Sequence, residues 1–513
     1  MKLNENIDSQ GMWFDLPDQM QELADTYNAY PYYSGAFKWS APGYMRAAAY
    51  LYGWQAPAVK RARILELGCA SGGNSIPTAY LYPEAEIIGV DISAQQIKAG
   101  QALIDRAGLH NIELRLACIS EINEQWGKFD YIIAHGLWSW IPQAMQTHVM
   151  RVVAENLKED GLAYVSFNTY PGWKGAEVLR DAMRWHSRHL SDPVDRVSRA
   201  REMLPFFARH LCRRNPQRQL LQSLVHRVPS GDDQAYYLAH EYLELYNKPT
   251  YVADFATQAQ RHGLLHLGDV NPATDHVGTY DLDIGLLSML AASSDRNEQL
   301  QYLDFAVGRS FRQSLLIPQG THSRRFLPDW QRLAELQFAG WFEFNTQADE
   351  GQQCYNTLHG ESLICQQAGM ALLLDCLHQA WPKTVSGTDL KRLAQRHGYD
   401  GQSLLESLYM DWPVELARSY DDLPACLQDT YSGLVPGVVD VIVDRWHHET
   451  PIGDFNAWHQ STAGEFNAQQ LRLLQDMDER ASTHLMAGGE RCGQEEKALQ
   501  QLRAQLRKYA MYI

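Results

Sequence analysis

"RARILELGCASGGNSIPTAYLYPEAEIIGVDIS", residues 61–93, decides the fold. It opens on a short apolar run, "RILEL", that stops at Gly68. "NSIPTAYLYP" then has helical spacing, and "AEIIGVDIS" is a second apolar run that ends in an acid, Asp91. Strand, glycine turn, helix and strand make a βαβ unit. Near-continuous apolar strands, rather than alternating ones, mark a parallel sheet covered on both faces.

The rhythm continues outward. "SAQQIKAGQALIDRAGL" (93–109) reads as a helix and "HNIELRLACI" (110–119) as a third strand. "KFDYIIAHG" (128–136) is a fourth, "HVMRVVAENLKEDG" (148–161) a helix with a glycine stop, and "LAYVSFN" (162–168) a fifth strand. The expectation is an α/β fold with a doubly wound, Rossmann-like sheet. Residues ~174 to ~245 then read as all-helical, with an insertion at about 188–245. "YVADFATQAQRHGLLHLGDV" (251–270) and "RSFRQSLLIP" (309–318) return to strands, and "FRQSLL" reads as a sheet-edge strand. This assigns 1–44 to an N-terminal cap or lid, 45–320 to the α/β domain and 321–513 to a mainly α C-terminal domain for recruitment or regulation. In that last part "WPKTVSGTDLKRLAQRHGYDGQSLLESLYM" followed by "PVELARS" suggests helices and then a short strand pair, as in a winged helix. No internal repeat is visible.

The 513 residues exceed one ordinary domain, and length alone suggests roughly three. A 45% hydrophobic and 21% charged composition is that of a soluble globular protein. The net charge of −16 disfavours nucleic acid as the main partner, since phosphate binding wants a positive field. The arginine-rich stretch at 188–219 reads as a solvated helical face. Eight cysteines without a C-x-x-C pair give neither a zinc set nor a disulfide framework, and no metal is expected. No secretory h-region or membrane-spanning run is seen, so a cytoplasmic protein is expected. The oligomeric state is left open, with a homodimer as the candidate assembly.

Open parallel sheets bind ligands at the carboxyl ends of their strands. Gly68 lets the chain turn away from the sheet, and small residues at Ala70 and Gly72 let backbone approach a ligand. The dinucleotide pattern G-x-G-x-x-G is absent, which disfavours hydride transfer. Asp91 stands 23 positions after Gly68 (91 − 68), near the ~20 usual for an acid that accepts from both ribose hydroxyls. The pair points to an adenosine-type ligand.

"LELGCASGG…GVDIS" resembles motif I and the ribose-binding acid of class I S-adenosylmethionine-dependent methyltransferases. "TYNAYPYYSGAF", "FDYIIAHGLWSWIP", "YVSFNTYPGW", "LAHEYLELYNKP" and "EQLQYLDFAVGRSFRQSLL" resemble the narrower group that carries a methyltransferase regulatory domain. The rickettsial lysine methyltransferases of an outer-membrane protein are similar members. The resemblance spans roughly residues 25–320. It implies a class I methyltransferase sheet and S-adenosylmethionine as cofactor, leaving S-adenosylhomocysteine as product. The cofactor residues it implies are Glu66, Gly68, Ala70, Gly72, Asn74, Asp91, Ile92, Cys118, Ile119 and His135. Two positions depart from the wider pattern. Ala70 replaces a glycine, and Cys118 stands where many relatives place an aspartate for the adenine amino group.

Methyl transfer is an in-line displacement that requires alignment and exclusion of water. A lysine acceptor, with pKa near ~10.4, must also lose a proton. An apolar, aromatic-walled pocket favours the neutral amine. Candidates at the ends of strands four and five are His135, Trp138, Trp140, Asn168, Tyr170 and Trp173. His135 is a candidate general base, or a backbone contact with a structural ring. Trp138 and Trp140 are candidate pocket walls or core filler. Tyr170 offers a hydroxyl near the acceptor or packs in a turn. Tyr27 and Tyr32 belong to a lid or to a helix cap. Three functions fit: a protein lysine methyltransferase, a methyltransferase for a small molecule or modified peptide, and a non-catalytic cofactor-binding protein.

Overall fold

The computed structural model describes residues 16–29, 31–231, 233–320, 327–347, 352–418, 422–428, 431–448, 451–462, 466–483 and 493–513. An N-terminal helix, α1 (Leu16–Ala29), precedes α2 (Pro42–Leu51). The α/β layer then runs β1 (Arg63–Leu67), α3 (Ser75–Leu81), β2 (Glu86–Asp91), α4 (Ala94–Ala107), β3 (Ile112–Leu116), β4 (Phe129–Ala134), α5 (Gln143–Asn156) and β5 (Leu157–Asn168). A helical stretch follows, with α6 (Trp173–His186), α7 (Pro193–Arg201) and α8 (Arg218–Arg227). The layer resumes with α9 (Val252–Arg261), β6 (Leu264–Asp269), α10 (Ile284–Ala292), α11 (Arg296–Val307) and β7 (Phe311–Pro318).

These strands form one seven-stranded sheet in the order β3-β2-β1-β4-β5-β7-β6. The first five are parallel, and β7 is antiparallel to both its neighbours. Alternate residues of each strand face opposite sides. Tyr131 and Ile133 enter one core with Ile64, Ile87 and Leu315, while Ile132 and Ala134 enter the other with Leu65, Val90 and Val165. Both faces are therefore dry, which is why the strands read as unbroken apolar runs.

Two expectations need correction. "FRQSLL" is not at the sheet edge: β7 lies between β5 and β6. Arg312, fully buried there, donates to Asp304 and Asp275, so a charged residue sits inside the sheet because two carboxylates neutralise it. The expected C-terminal strand pair is also different. After β8 (Gln337–Ala339) come β9 (Phe342–Phe344), β10 (Cys354–Thr357), β11 (Ser362–Ile364), α12 (Met370–Ala380), β12 (Val385–Ser386), α13 (Gly387–Arg396), α14 (Gly401–Asp411) and β13 (Glu415–Ala417). β13 pairs with the earlier β8 rather than with a following strand, giving the sheet β12-β8-β13.

Helices α15 (Val438–His448), α16 (Ala468–Thr483) and α17 (Gly493–Lys508) close the chain. Val438, Val441 and Ile442 share a core with Ile76 and Ala79 of α3, so the C-terminal part packs directly on the α/β layer. Among the described residues, no helix is long and apolar enough to cross a membrane.

Candidate active site

Strand order reverses between β1 and β4, so a crevice opens at their carboxyl ends. A cavity of about 530 Å³ lies there. Its floor is the turn after β1. Gly68 (φ 73), Ala70 (φ 50) and Gly72 (φ 81) all take left-handed backbone, which bends the chain across the strand ends. The amides of Gly68 and Cys69 donate to the Val90 carbonyl at 2.8 and 3.0 Å. Ala70 thus adopts the conformation that a glycine would take without cost.

Asp91, at the end of β2, lines the cavity. Its Oδ2 accepts from the Ala70 amide (2.9 Å) and its Oδ1 from the Ser93 amide (2.8 Å). A carboxylate has about four lone-pair sites, so acceptor capacity remains for a ligand beside these amides. Burial raises its pKa, and the backbone amides oppose that rise. Ile92, Ala117 and Ile119 add apolar wall, whereas Cys118 itself does not line the cavity. The Cys118 amide instead donates to Glu121 (2.8 Å).

Glu66 is buried in β1. Asn74 Nδ2 donates to it at 2.8 Å, and the Ser75 hydroxyl donates as well. Burial nevertheless pushes its pKa to about 7. Asn74 joins three parts of the chain. Its Oδ1 accepts from the Phe37 amide (3.1 Å), the Ser40 hydroxyl (3.1 Å) and His459 Nε2 (2.8 Å). A Cβ on Gly73 would lie 2.1 Å from the Ser34 carbonyl, so the segment at 34–37 is pressed onto this turn.

His135 follows β4 and lines the cavity. Gln313 Nε2 donates to the Tyr164 hydroxyl (2.9 Å), which lies 3.0 Å from His135 Nδ1. The Ser166 hydroxyl lies 3.5 Å from the same nitrogen, so Nδ1 is held by two hydroxyls. The Phe37 ring lies 4.0 Å from the imidazole, centroid to centroid. Burial lowers the His135 pKa to about 4, so the ring is neutral at neutral pH.

The aromatic candidates separate. Trp140 lines the cavity. Trp138 is 0% exposed, donates to Thr250 Oγ1 (3.1 Å) and packs edge-on against Phe255. Tyr27, Tyr32 and Asn168 line the cavity, while Gly72, Tyr170 and Trp173 do not. The Tyr170 hydroxyl is bound to Glu177, and Trp173 is buried in the core of the helical stretch. Sequence reasoning missed His240, Glu241 and Glu244, which line the cavity from that stretch, and Phe37, Gln313 and His459. Among the described residues, the cavity wall contains four carboxylates (Glu66, Asp91, Glu241 and Glu244) and no lysine or arginine. It suits a cationic ligand and not a diphosphate.

Residues 64–161 match a methyltransferase domain, and residues 234–317 match the "Predicted methyltransferase regulatory domain". Two Rickettsia prowazekii proteins are similar. RP789 is 37% identical over 291 residues, 56% of this chain and 52% of its own length. RP028 is 32% identical over 237 residues, 46% of this chain and 94% of its own length. The chain belongs to the methyltransferase family that carries this regulatory domain. The match thus spans about half the length of one curated relative and nearly all of the other. The structure of PKMT2 from Rickettsia typhi in complex with AdoHcy shares the fold of this family member, with a TM-score of 0.75 at 23% identity over 94% of this chain and 100% of that one.

Proposed function

We propose that the chain transfers a methyl group from S-adenosylmethionine to a lysine amine of a protein. The observation that carries the cofactor is Asp91, a carboxylate with acceptor capacity to spare at the end of β2, in a cavity lined by acids and, among the described residues, by no lysine or arginine. Asp91 would hold the ribose hydroxyls, Ile92, Ala117 and Ile119 would flank the adenine, and Glu66, Gly68 and Ala70 would lie toward the methionine part. The departure at Cys118 is compatible with this, because apolar contact replaces a polar one. When bound, the cofactor supplies a methyl carbon activated by a sulfonium.

The protein aligns the acceptor and keeps water out. Trp140, Phe37 and Leu137 give the cavity aromatic and apolar wall. With its pKa lowered to about 4, His135 is a weak base for an amine, so it orients an acceptor rather than deprotonating it. A protein acceptor is supported by the resemblance to the rickettsial enzymes and by the size of the C-terminal part, which a small acceptor does not need.

Calorimetry with S-adenosylhomocysteine tests the cofactor. Incubation with labelled S-adenosylmethionine and extract of the source cells tests the acceptor. Label in a protein band that yields methyl-lysine on hydrolysis is expected. Label confined to small molecules would overturn the protein acceptor, and failure to bind the product would overturn the cofactor.

Glu66 adds a pH dependence. Its pKa in the fold, about 7, lies above its ordinary value of 4.5, so the folded protein binds more protons than the unfolded chain between those values. Stability from this group is therefore greatest at low pH and is lost as pH rises to about 7. The α-ammonium of the methionine part, which S-adenosylhomocysteine keeps, favours the ionised carboxylate. Affinity for S-adenosylhomocysteine is expected to rise through neutral pH with release of a proton. Titrations in two buffers of different ionisation enthalpy measure that proton, and equal apparent enthalpies would refute the assignment.

A further inference from the structure

The wall of the cavity opposite β1 contains groups that cofactor binding leaves unused. Residues Leu238–Leu243 form a π-helical turn, a rare local widening that often occurs at functional sites. It brings His240 and Glu241 to the same wall as Glu244. Glu244 is 5% exposed. Its Oε1 lies 3.0 Å from His240 Nδ1, whereas its Oε2 is buried with no hydrogen-bond partner among the described residues. A buried carboxylate oxygen left unpaired is destabilising, and a bound donor removes that cost.

Aromatic rings surround the same place. The Tyr32 ring lies 5.2 Å from His240 and 5.7 Å from Tyr236, and Tyr236 lies 4.5 Å from His240. Rings and carboxylates together are what an alkylammonium binds to. A groove of about 560 Å³ between α1 and α7 shares His240 and Glu244 with the cavity and so gives a route to them. Asp18, Glu22 and Asp25 line one side of the groove, and Arg196 lies on the other.

We propose that Glu241 and Glu244 form the amine-receiving end of the cavity, Glu244 binding an alkylammonium that enters along this groove and Glu241 taking its proton. The proposal rests on the methyltransferase reading. In the step, an N–H proton passes to the Glu241 carboxylate. The freed nitrogen lone pair forms the N–C bond as the C–S bond of the cofactor breaks. That electron pair stays on sulfur, and the product amine holds the positive charge. Glu241 suits this role better than Glu244, whose Oε1 is tied to His240. Burial and the neighbouring Glu244 carboxylate push the Glu241 pKa to about 7, which brings it closer to that of the amine. Other charged or titratable groups around the pair are His240 and Tyr242 on the same turn, Tyr236 and Tyr237 just before it, Tyr32, Tyr27 of α1 and, beyond Tyr27, Asp91 of β2, and Arg180 and Arg184 of α6, which donate to the backbone carbonyls of 242, 244 and 245.

The test uses the full chain, with n-butylammonium and its neutral analogue n-pentanol as calorimetric probes, and a single-lysine peptide mixture as methyl acceptor. The unsubstituted protein should bind n-butylammonium and not n-pentanol, and Glu244→Gln should weaken the cation at least about 10-fold. Glu241→Gln should lower kcat by about 100-fold and remove the acidic limb of the pH profile near 7, with Glu241→Asp recovering part of the rate. A single cooperative melt and retained binding of the product in all three separate the effect from misfolding. Equal binding of the two probes, or an unchanged pH profile in Glu241→Gln, would overturn the inference. Absence of product binding in the parent would instead overturn the methyltransferase reading.

Discussion

Replacing Asp91 with alanine is expected to weaken S-adenosylhomocysteine binding by about 100- to 1000-fold, from two charge-assisted hydrogen bonds at about 1.5–3 kcal/mol each, added incompletely. Asp91 also holds the Ala70 and Ser93 amides, so its loss loosens the turn after β1 that forms the cavity floor. Asp91→Asn keeps one acceptor oxygen but presents an N–H to a backbone donor, and an intermediate loss is expected. Calorimetry measures both. If Asp91→Ala binds the product within about 3-fold of the parent, the ribose assignment fails.

Substitution of the two neighbouring tryptophans should have opposite consequences. Trp138→Ala removes a fully buried indole, its bond to Thr250 and its contact with Phe255, and should cost about 3–5 kcal/mol of stability. Trp140→Ala opens the cavity wall without leaving a core void. It should cost under about 1 kcal/mol while raising KM for the acceptor. Denaturant melts and steady-state kinetics on both variants check this. A stable Trp138→Ala would show that the core closes around the gap.

The division between these two residues marks where sequence reasoning stops. "WSW" forms a single tight turn between β4 and α5, with about three residues per turn, so positions two apart face different ways. Nothing in the sequence says which tryptophan turns inward. The meeting of Gly68 and Asp91 at one cavity was legible because Gly68 follows β1 and Asp91 ends β2 within one βαβ unit, where spacing fixes position. The direction of β7 was not legible, since a strand that follows a helix reads as parallel, and only the pairing with β5 and β6 reverses it. Glu241 and Glu244 were hidden because a π-helical turn breaks the 3.6-residue period by which faces are assigned. His459 left no signal at all, because its partner Asn74 is 385 positions away.

That last contact bears on how the protein is made. Synthesis runs from the N-terminus, and the seven strands are all available once β7 has left the ribosome. The turn after β1 still lacks its imidazole at that moment, and the segment at 34–37 lacks the backbone bonds from Ser34 to Pro451 and from Gly453 to Ser34 that fasten it. A growing chain can therefore build its sheet well before it can finish the ligand cradle. Cofactor capture becomes a late event, reserved for chains whose C-terminal part has been translated and has docked.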